Sequence, residues 1–300
     1  MKLAPCLALC CFALLTGELH ALPMVDRTIV PDPFDFKIEG QGGFLQRSSS
    51  WGDFARYLSS TDEDHSYDAK LGAYVELFRL RNLWSVDAAS EIELVANPAN
   101  DIQFQPRVFF WQESIFAMQH LDFLDWGIGY YHRCRHDIDN LAQFQQAGLL
   151  LERVCIYDSV TLRAYPLPLR WNWGGGAAGS ARFTLDDHYF VLRVDDAQSR
   201  YGGRQLTLTD LVDSLALGLE LEPLRLRFLA CYVAFKVFTD LYGPAGQPTL
   251  SSDYLAETGI RFRGAGARLA FYLRYERFAE TLMDPWRQTG TYLSFGIRVE

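Results

Sequence analysis

The stretch "GIGYYHRCRHDIDN", residues 127–140, concentrates side chains that can do chemistry: two histidines, one cysteine and two aspartates after an apolar, aromatic run. A histidine beside a thiol is the minimum for activating a nucleophile by a general base. Along an extended strand His132 and Cys134 fall on one side, with Cα atoms roughly 7 Å apart, and their side chains can lean together. Trp126, Ile128 and Tyr130 share that side. Arg133 and Arg135 would favour the thiolate. The sequence offers only Asn140 and Glu152 as a third group to orient the imidazole. A metal would need His132 and His136 together. Four strand residues hold them roughly 13 Å apart, against metal–nitrogen bonds of about 2 Å. Only a turn before His136 would change that, so neither a metal nor a cofactor is expected. A non-catalytic reading is also open. His132, Arg133, Arg135 and His136 would then mark a boundary between hydrocarbon and water, where cationic and amphipathic side chains settle.

The surrounding segments decide what such a strand belongs to. Period-two alternation recurs along the chain, the mark of strands with two unlike faces. Leu269, Phe271, Leu273 and Tyr275 alternate with Arg268, Ala270, Tyr272, Arg274 and Glu276. Leu293, Phe295, Ile297 and Val299 alternate with Ser294, Gly296 and Arg298. Leu215, Leu217, Leu219 and Leu221 form a third such row, and Leu224, Leu226 and Phe228 a fourth against Arg225 and Arg227. Less regular segments are expected at 36–46, 69–80, 83–95, 104–117, 124–134, 147–157, 159–171, 181–194 and 251–263. Turn-forming stretches such as "NPAND", "WNWGGG" and "GPAGQP" separate many of them. "WNWGGG" lacks the lysine and following helix of a phosphate loop and reads as a rim turn with aromatic anchors. Residues 47–68, polar and acidic, read as a long surface loop or short helix.

Two architectures make many antiparallel strands with one apolar face. A soluble sandwich turns that face inward; a transmembrane barrel turns it to lipid and keeps a polar interior. Here the polar faces carry Gly, Ala, Ser, Arg and Glu, while the apolar faces are large and aromatic. Tyr130, Tyr131, Trp171, Trp173, Tyr272 and Tyr275 lie towards segment ends, as interfacial girdles would. The expectation is an all-β fold, a transmembrane antiparallel β-barrel of about twelve strands, within a range of roughly ten to fourteen. Arginines at 225/227, 261/263 and 274/277 would line an anion-attracting pore or pair with interior Glu and Asp in a narrow, plugged barrel.

Composition fits. The chain is 49% hydrophobic and 22% charged, which excludes a disordered protein. A net charge of −9 argues against nucleic-acid binding. Only four of the 28 basic residues are lysines. Genome composition or a preference for planar guanidinium–carboxylate networks would each produce that skew. Residues 1–21 read as a secretory signal peptide, with an apolar stretch from Leu7 to Leu15 too short to span a bilayer. A lipoprotein reading would require a small residue before Cys10, where Leu9 stands. Residues 22–300 then form one barrel domain with three cysteines, Cys134, Cys155 and Cys231, too few and too spread for a disulfide framework or a zinc motif.

The segment "GYYHRCRHD" resembles the His-x-Ser stretch of outer-membrane phospholipase A. It is also similar to the His-x-Ser-Ser-His stretch of a family of outer-membrane barrels of unknown function, in which His132 and His136 both find a match. The following "LLLERVCIYDSVTLRAYP" has a comparable strand–turn–strand layout. The resemblance implies His132 as base and puts Cys134 where the nucleophilic serine stands, with Arg135 departing from the pattern. The terminal "TYLSFGIRVE" resembles the closing strand of outer-membrane barrels, implying recognition by barrel-assembly machinery, although it ends Val299-Glu300 rather than on an aromatic. The reading is thus a barrel in the outer membrane of a diderm bacterium, in contact with outer-membrane lipid. It is expected to be non-enzymatic: a small channel, a structural element or a surface protein. A divergent or degenerate lipid hydrolase using His132 and Cys134 is the alternative, and a soluble periplasmic lipid carrier a third.

Overall fold

The computed structural model describes residues 42–60, 67–81, 83–96, 106–137, 154–195, 211–243, 249–264, 267–279 and 289–300. The segments read as the signal peptide, and Asn140 and Glu152, lie outside them. The strands are β1 (Gly42–Ser60), β2 (Tyr67–Leu80), β3 (Trp84–Ala96), β4 (Pro106–His120), β5 (Leu124–Asp137), β6 (Val154–Pro166), β7 (Leu169–Gly174), β8 (Ala177–Asp195), β9 (Leu211–Arg225), β10 (Leu229–Tyr242), β11 (Thr249–Arg263), β12 (Arg268–Ala279) and β13 (Thr289–Val299). Each barrel strand is antiparallel to its neighbours, and β1 pairs with β13. The short β7 carries on the line of β6 past Leu167 and Pro168 and pairs with the start of β8, while β6 pairs with the rest of β8. The result is a closed barrel of twelve staves, which leaves no long unpaired edge.

The oily side of each strand points outward. On β12, Leu269, Leu273 and Tyr275 are exposed while Ala270, Tyr272, Arg274 and Glu276 are buried in the interior. On β13, Leu293, Phe295, Ile297 and Val299 are exposed, and Tyr292 and Ser294 are buried. Such an exterior is stable where hydrocarbon covers it. Packing inside is close: a Cβ added to Gly296 would meet the Tyr272 ring at 2.1 Å, so glycine there makes room for the neighbouring strand's tyrosine. At the β7–β8 turn, Gly174, Gly175 and Gly176 have φ of 82°, 59° and 83°, the left-handed region that glycine enters without penalty.

The two rims differ. Connections β2–β3, β4–β5, β7–β8, β9–β10 and β11–β12 are two to four residues long, and those at the opposite rim are six to sixteen. Barrels of bacterial outer membranes share this asymmetry of short turns and long loops.

Five expectations are corrected. Residues 47–60 are strand, part of β1, and not a loop or helix; their inward face is polar (Ser49, Asp53), which hides the alternation. One strand, β6, runs through 158, where a turn between two segments was expected. Leu226 and Phe228 sit in the turn before β10, whose segment 229–242 has no clean alternation to announce it. Tyr131 and Tyr272 are interior residues rather than girdle residues, and Arg277 is exposed while Arg274 is buried.

Candidate functional site

Among the described residues the outward face is mainly apolar, and one polar row crosses four adjacent strands of it. Strand register places Ser90 on β3 opposite Glu113 on β4, Glu113 opposite His132 on β5, and His132 opposite Asp158 on β6. All four belong to the outward set of their strands: Glu113 lies between exposed Trp111 and Ile115, and His132 follows exposed Ile128 and Tyr130. The row lies near the rim of long connections, His132 being five residues short of the end of β5.

Within it, His132 Nδ1 and Asp158 Oδ1 are 2.6 Å apart. The Tyr130 hydroxyl donates to the same aspartate. A carboxylate on Nδ1 fixes the imidazole's orientation and leaves Nε2 to act as a base, as the acid and histidine of an acid–histidine–nucleophile triad do. Cys134, two residues on along β5, shares the face; it is 8% exposed, and the Trp111 backbone hydrogen-bonds its sulfur. Trp111 stands opposite Cys134 in register, and its indole Nε1 donates to Glu113 at 2.9 Å.

The structure therefore brings His132 and Cys134 onto one outward face and supplies a third group, Asp158, that the sequence did not single out. The "YDS" at 157–159 looks like a turn, and only strand register shows that it crosses His132. Arg133 does not face the thiol. It points inward, donating to Glu93 at 2.5 Å and Gln112 at 2.9 Å. This follows from its odd place in the alternation, one residue out of step with His132 and Cys134.

The inner face behind the site is aromatic. Tyr131 and Tyr157, the neighbours of His132 and Asp158, join Phe190, Leu211 and Tyr242 in one buried cluster drawn from five strands. Tyr131 and Tyr157 stack at 6.1 Å, and Tyr157 meets Phe190 edge-on at 5.0 Å. Side chains held on strands backed by packed rings are kept from wandering.

Elsewhere the interior is laced with ion pairs. Arg274 and Arg298 both contact Asp53 (2.9 Å each) and Glu257 (2.8 Å each), while Tyr232 donates to Glu257 at 2.7 Å and Tyr272 donates to Asp53. Arg261 and Arg263 converge on Glu222 at 2.5 and 2.7 Å. Lys70 reaches Glu93 at 2.8 Å, and Arg163 reaches Asp186 at 2.7 Å. A hydroxyl–imidazole–carboxylate chain is found here as well. Ser85 Oγ is 3.0 Å from His120 Nε2, and His120 Nδ1 is 3.1 Å from Asp125. All three are at most 5% exposed inside the barrel wall, so this chain ties β3, β4 and β5 together without offering its hydroxyl to a substrate. Among the described residues no group of three His, Cys, Asp or Glu is arranged to hold a metal ion.

No protein-family model matches the chain, and no curated protein does. Several solved structures are similar in shape. The outer-membrane phospholipase dimer with bound calcium from Salmonella typhi is 12% identical, covering 92% of this chain and 98% of that one at a TM-score of 0.49. The translocator domain of the autotransporter NalP from Neisseria meningitidis is 11% identical, covering 90% and 91% at 0.39. A bacterial polysaccharide outer-membrane secretin is 8% identical, covering 84% and 97% at 0.30. At these values the likeness bears on neither activity nor individual residues.

Proposed function

We propose that this chain is an outer-membrane β-barrel that works on its wall rather than through its bore, as an acyl hydrolase of membrane lipids. The observation that carries the reading is the 2.6 Å contact of His132 with Asp158 on the outward face, with Cys134 on the same face of the same strand as His132. An ionisable residue facing hydrocarbon is costly and calls for a functional account. In this mechanism the Cys134 sulfur attacks the ester carbonyl of a lipid acyl chain, and its proton passes to His132 Nε2. That proton leaves with the departing alcohol of the lysolipid. Water, deprotonated by His132, then opens the thioester, releasing fatty acid and restoring the thiol. Asp158 holds the imidazole and stabilises its charged form through both steps. The aromatic cluster and ion pairs inside argue against a small channel, one of the three non-enzymatic roles expected from sequence.

The barrel would reach the outer membrane of a diderm bacterium through a signal in residues 1–21 and assemble through β13. Heat-modifiable gel mobility with membrane fractionation tests that placement. A second reading, a structural barrel without catalysis, is favoured by the small exposure of Cys134 and the engagement of its sulfur by the Trp111 backbone. Phospholipid hydrolysis by refolded protein in detergent, compared with Cys134→Ala, separates the two. Activity lost in the variant supports the hydrolase. Equal inactivity of both leaves the structural role.

A further inference from the structure

The row that holds His132 and Asp158 contains a second carboxylate that the acyl-transfer chemistry does not use. Glu113 faces outward one strand over, directly opposite His132, so its Cβ lies roughly 5 Å from that of the histidine. It is exposed, and the Trp111 indole holds it by the 2.9 Å hydrogen bond. Trp111 is itself exposed and in register with Cys134. Arg133, one of the two arginines beside Cys134 in sequence, is turned inward to Glu93. The nucleophile is thus flanked by an exposed carboxylate and an exposed indole, with Asp158 beyond His132. A phosphate or carboxylate brought here meets like charge. An ammonium group meets a carboxylate partner and an aromatic face, the two features that bind amines.

We infer that Glu113 and Trp111 form a headgroup subsite that selects acyl lipids bearing an ammonium group over lipids whose headgroup is only anionic. The inference rests on the proposed wall site and names its substrate class. Glu113 is a specificity residue in it; the bond-making groups remain Cys134, His132 and Asp158.

The test has two arms on the full chain in mixed micelles, each variant being checked for folding by heat-modifiable mobility. In the first, Cys134 is labelled with a trimethylammonium thiosulfonate and with a sulfonate-bearing thiosulfonate, and the modified peptide is quantified by mass. One unit charge at roughly 8 Å in a water-like dielectric gives a preference for the cationic reagent of about five-fold. Glu113→Gln removes that preference and Glu113→Lys reverses it. In the second, initial hydrolysis rates are compared on phosphatidylethanolamine and phosphatidylglycerol, and the wild type favours the former more than Glu113→Gln does. A cationic labelling preference that depends on Glu113, with no hydrolysis of either lipid, upholds the subsite and removes the hydrolase. Hydrolysis with equal rates on both lipids, or a labelling ratio unmoved by Glu113→Gln, overturns the subsite and leaves the hydrolase standing.

Discussion

His132 on β5 and Asp158 on β6 face each other across one rung of the barrel ladder, their side chains joined at 2.6 Å on the outer wall. If this pair orients a base, removing the negative charge while keeping the shape should impair the chemical step and little else. Asp158→Asn is expected to lower kcat on phospholipid by about 10²–10⁴-fold with a small change in KM. Retained heat-modifiable mobility would show that the barrel still forms. A variant with wild-type kcat would remove Asp158 from the mechanism.

The bore is crowded, and two measurements follow. Planar-bilayer recordings of the refolded protein are expected to show no conductance steps, because Tyr131, Tyr157, Phe190, Leu211 and Tyr242 pack together inside the end below the long connections. Steps of regular size in wild type would refute the filled interior.

Glu257 accepts from Arg274, Arg298 and Tyr232, so deleting its carboxylate leaves the two guanidinium groups to share Asp53. Glu257→Ala is expected to cost about 1.5–3 kcal/mol, the range for losing hydrogen bonds to charged groups. Arg277→Gln, on an exposed outward position, is expected to change little. Urea midpoints of the two variants in the same detergent compare them directly. Similar midpoints would mean that the network is not holding the wall together.

Much of this architecture is legible in the amino-acid order, and the reasons for the exceptions are specific. Alternation is strong where one face is purely aliphatic or aromatic, so β12 and β13 show both their extent and their orientation. It fades where the interior residues are themselves apolar. β10 buries Ala230, Tyr232 and Tyr242 while exposing Val233 and Phe235, and only Lys236 and Asp240 mark its inner side as polar. It fades too where a polar residue faces outward, and that is where the site lies. Asp158 breaks the outward apolar row of β6 and imitates a turn. The partner of His132 is therefore a residue that local pattern reads as punctuation. His132 and Cys134 could be placed on one face by counting in twos. Their partner could not, because 26 residues and a strand register separate it from the histidine. Tyr131 was placed at the interface by its position near a segment end; its neighbour Tyr130 occupies that outward place, and Tyr131 itself packs on Tyr157 inside.

Close contact between Tyr272 and Gly296 gives a stability test that is independent of function. A methyl at 296 would collide with the tyrosine ring at 2.1 Å, and the ring is pinned by its hydrogen bond to Asp53. Gly296→Ala is expected to destabilise by roughly 1–3 kcal/mol, the range for overpacking. Combining it with Tyr272→Ala should recover part of that loss, because the obstacle is gone. Additive effects in the double variant would show that the ring does not occupy the space in front of Gly296.

The orientation of the whole sheet can be tested at one position. Leu273 sits midway along β12, 40% exposed on the outer wall, while Arg274 beside it is buried among carboxylates. If the outer wall is immersed in hydrocarbon, Leu273→Arg places a guanidinium near the middle of the bilayer, at a cost of about 2–4 kcal/mol. The same variant in a wall bathed by water would cost little, since an exposed arginine there is solvated. Folding free energies measured in lipid vesicles, with Leu273→Ala as a reference for the lost side chain, distinguish the two. A penalty that appears in vesicles and shrinks for Leu269→Arg, four residues closer to the short-turn rim, matches the depth profile of a membrane-spanning wall. An arginine tolerated equally at both places would move the apolar face, and His132 with it, out of the lipid.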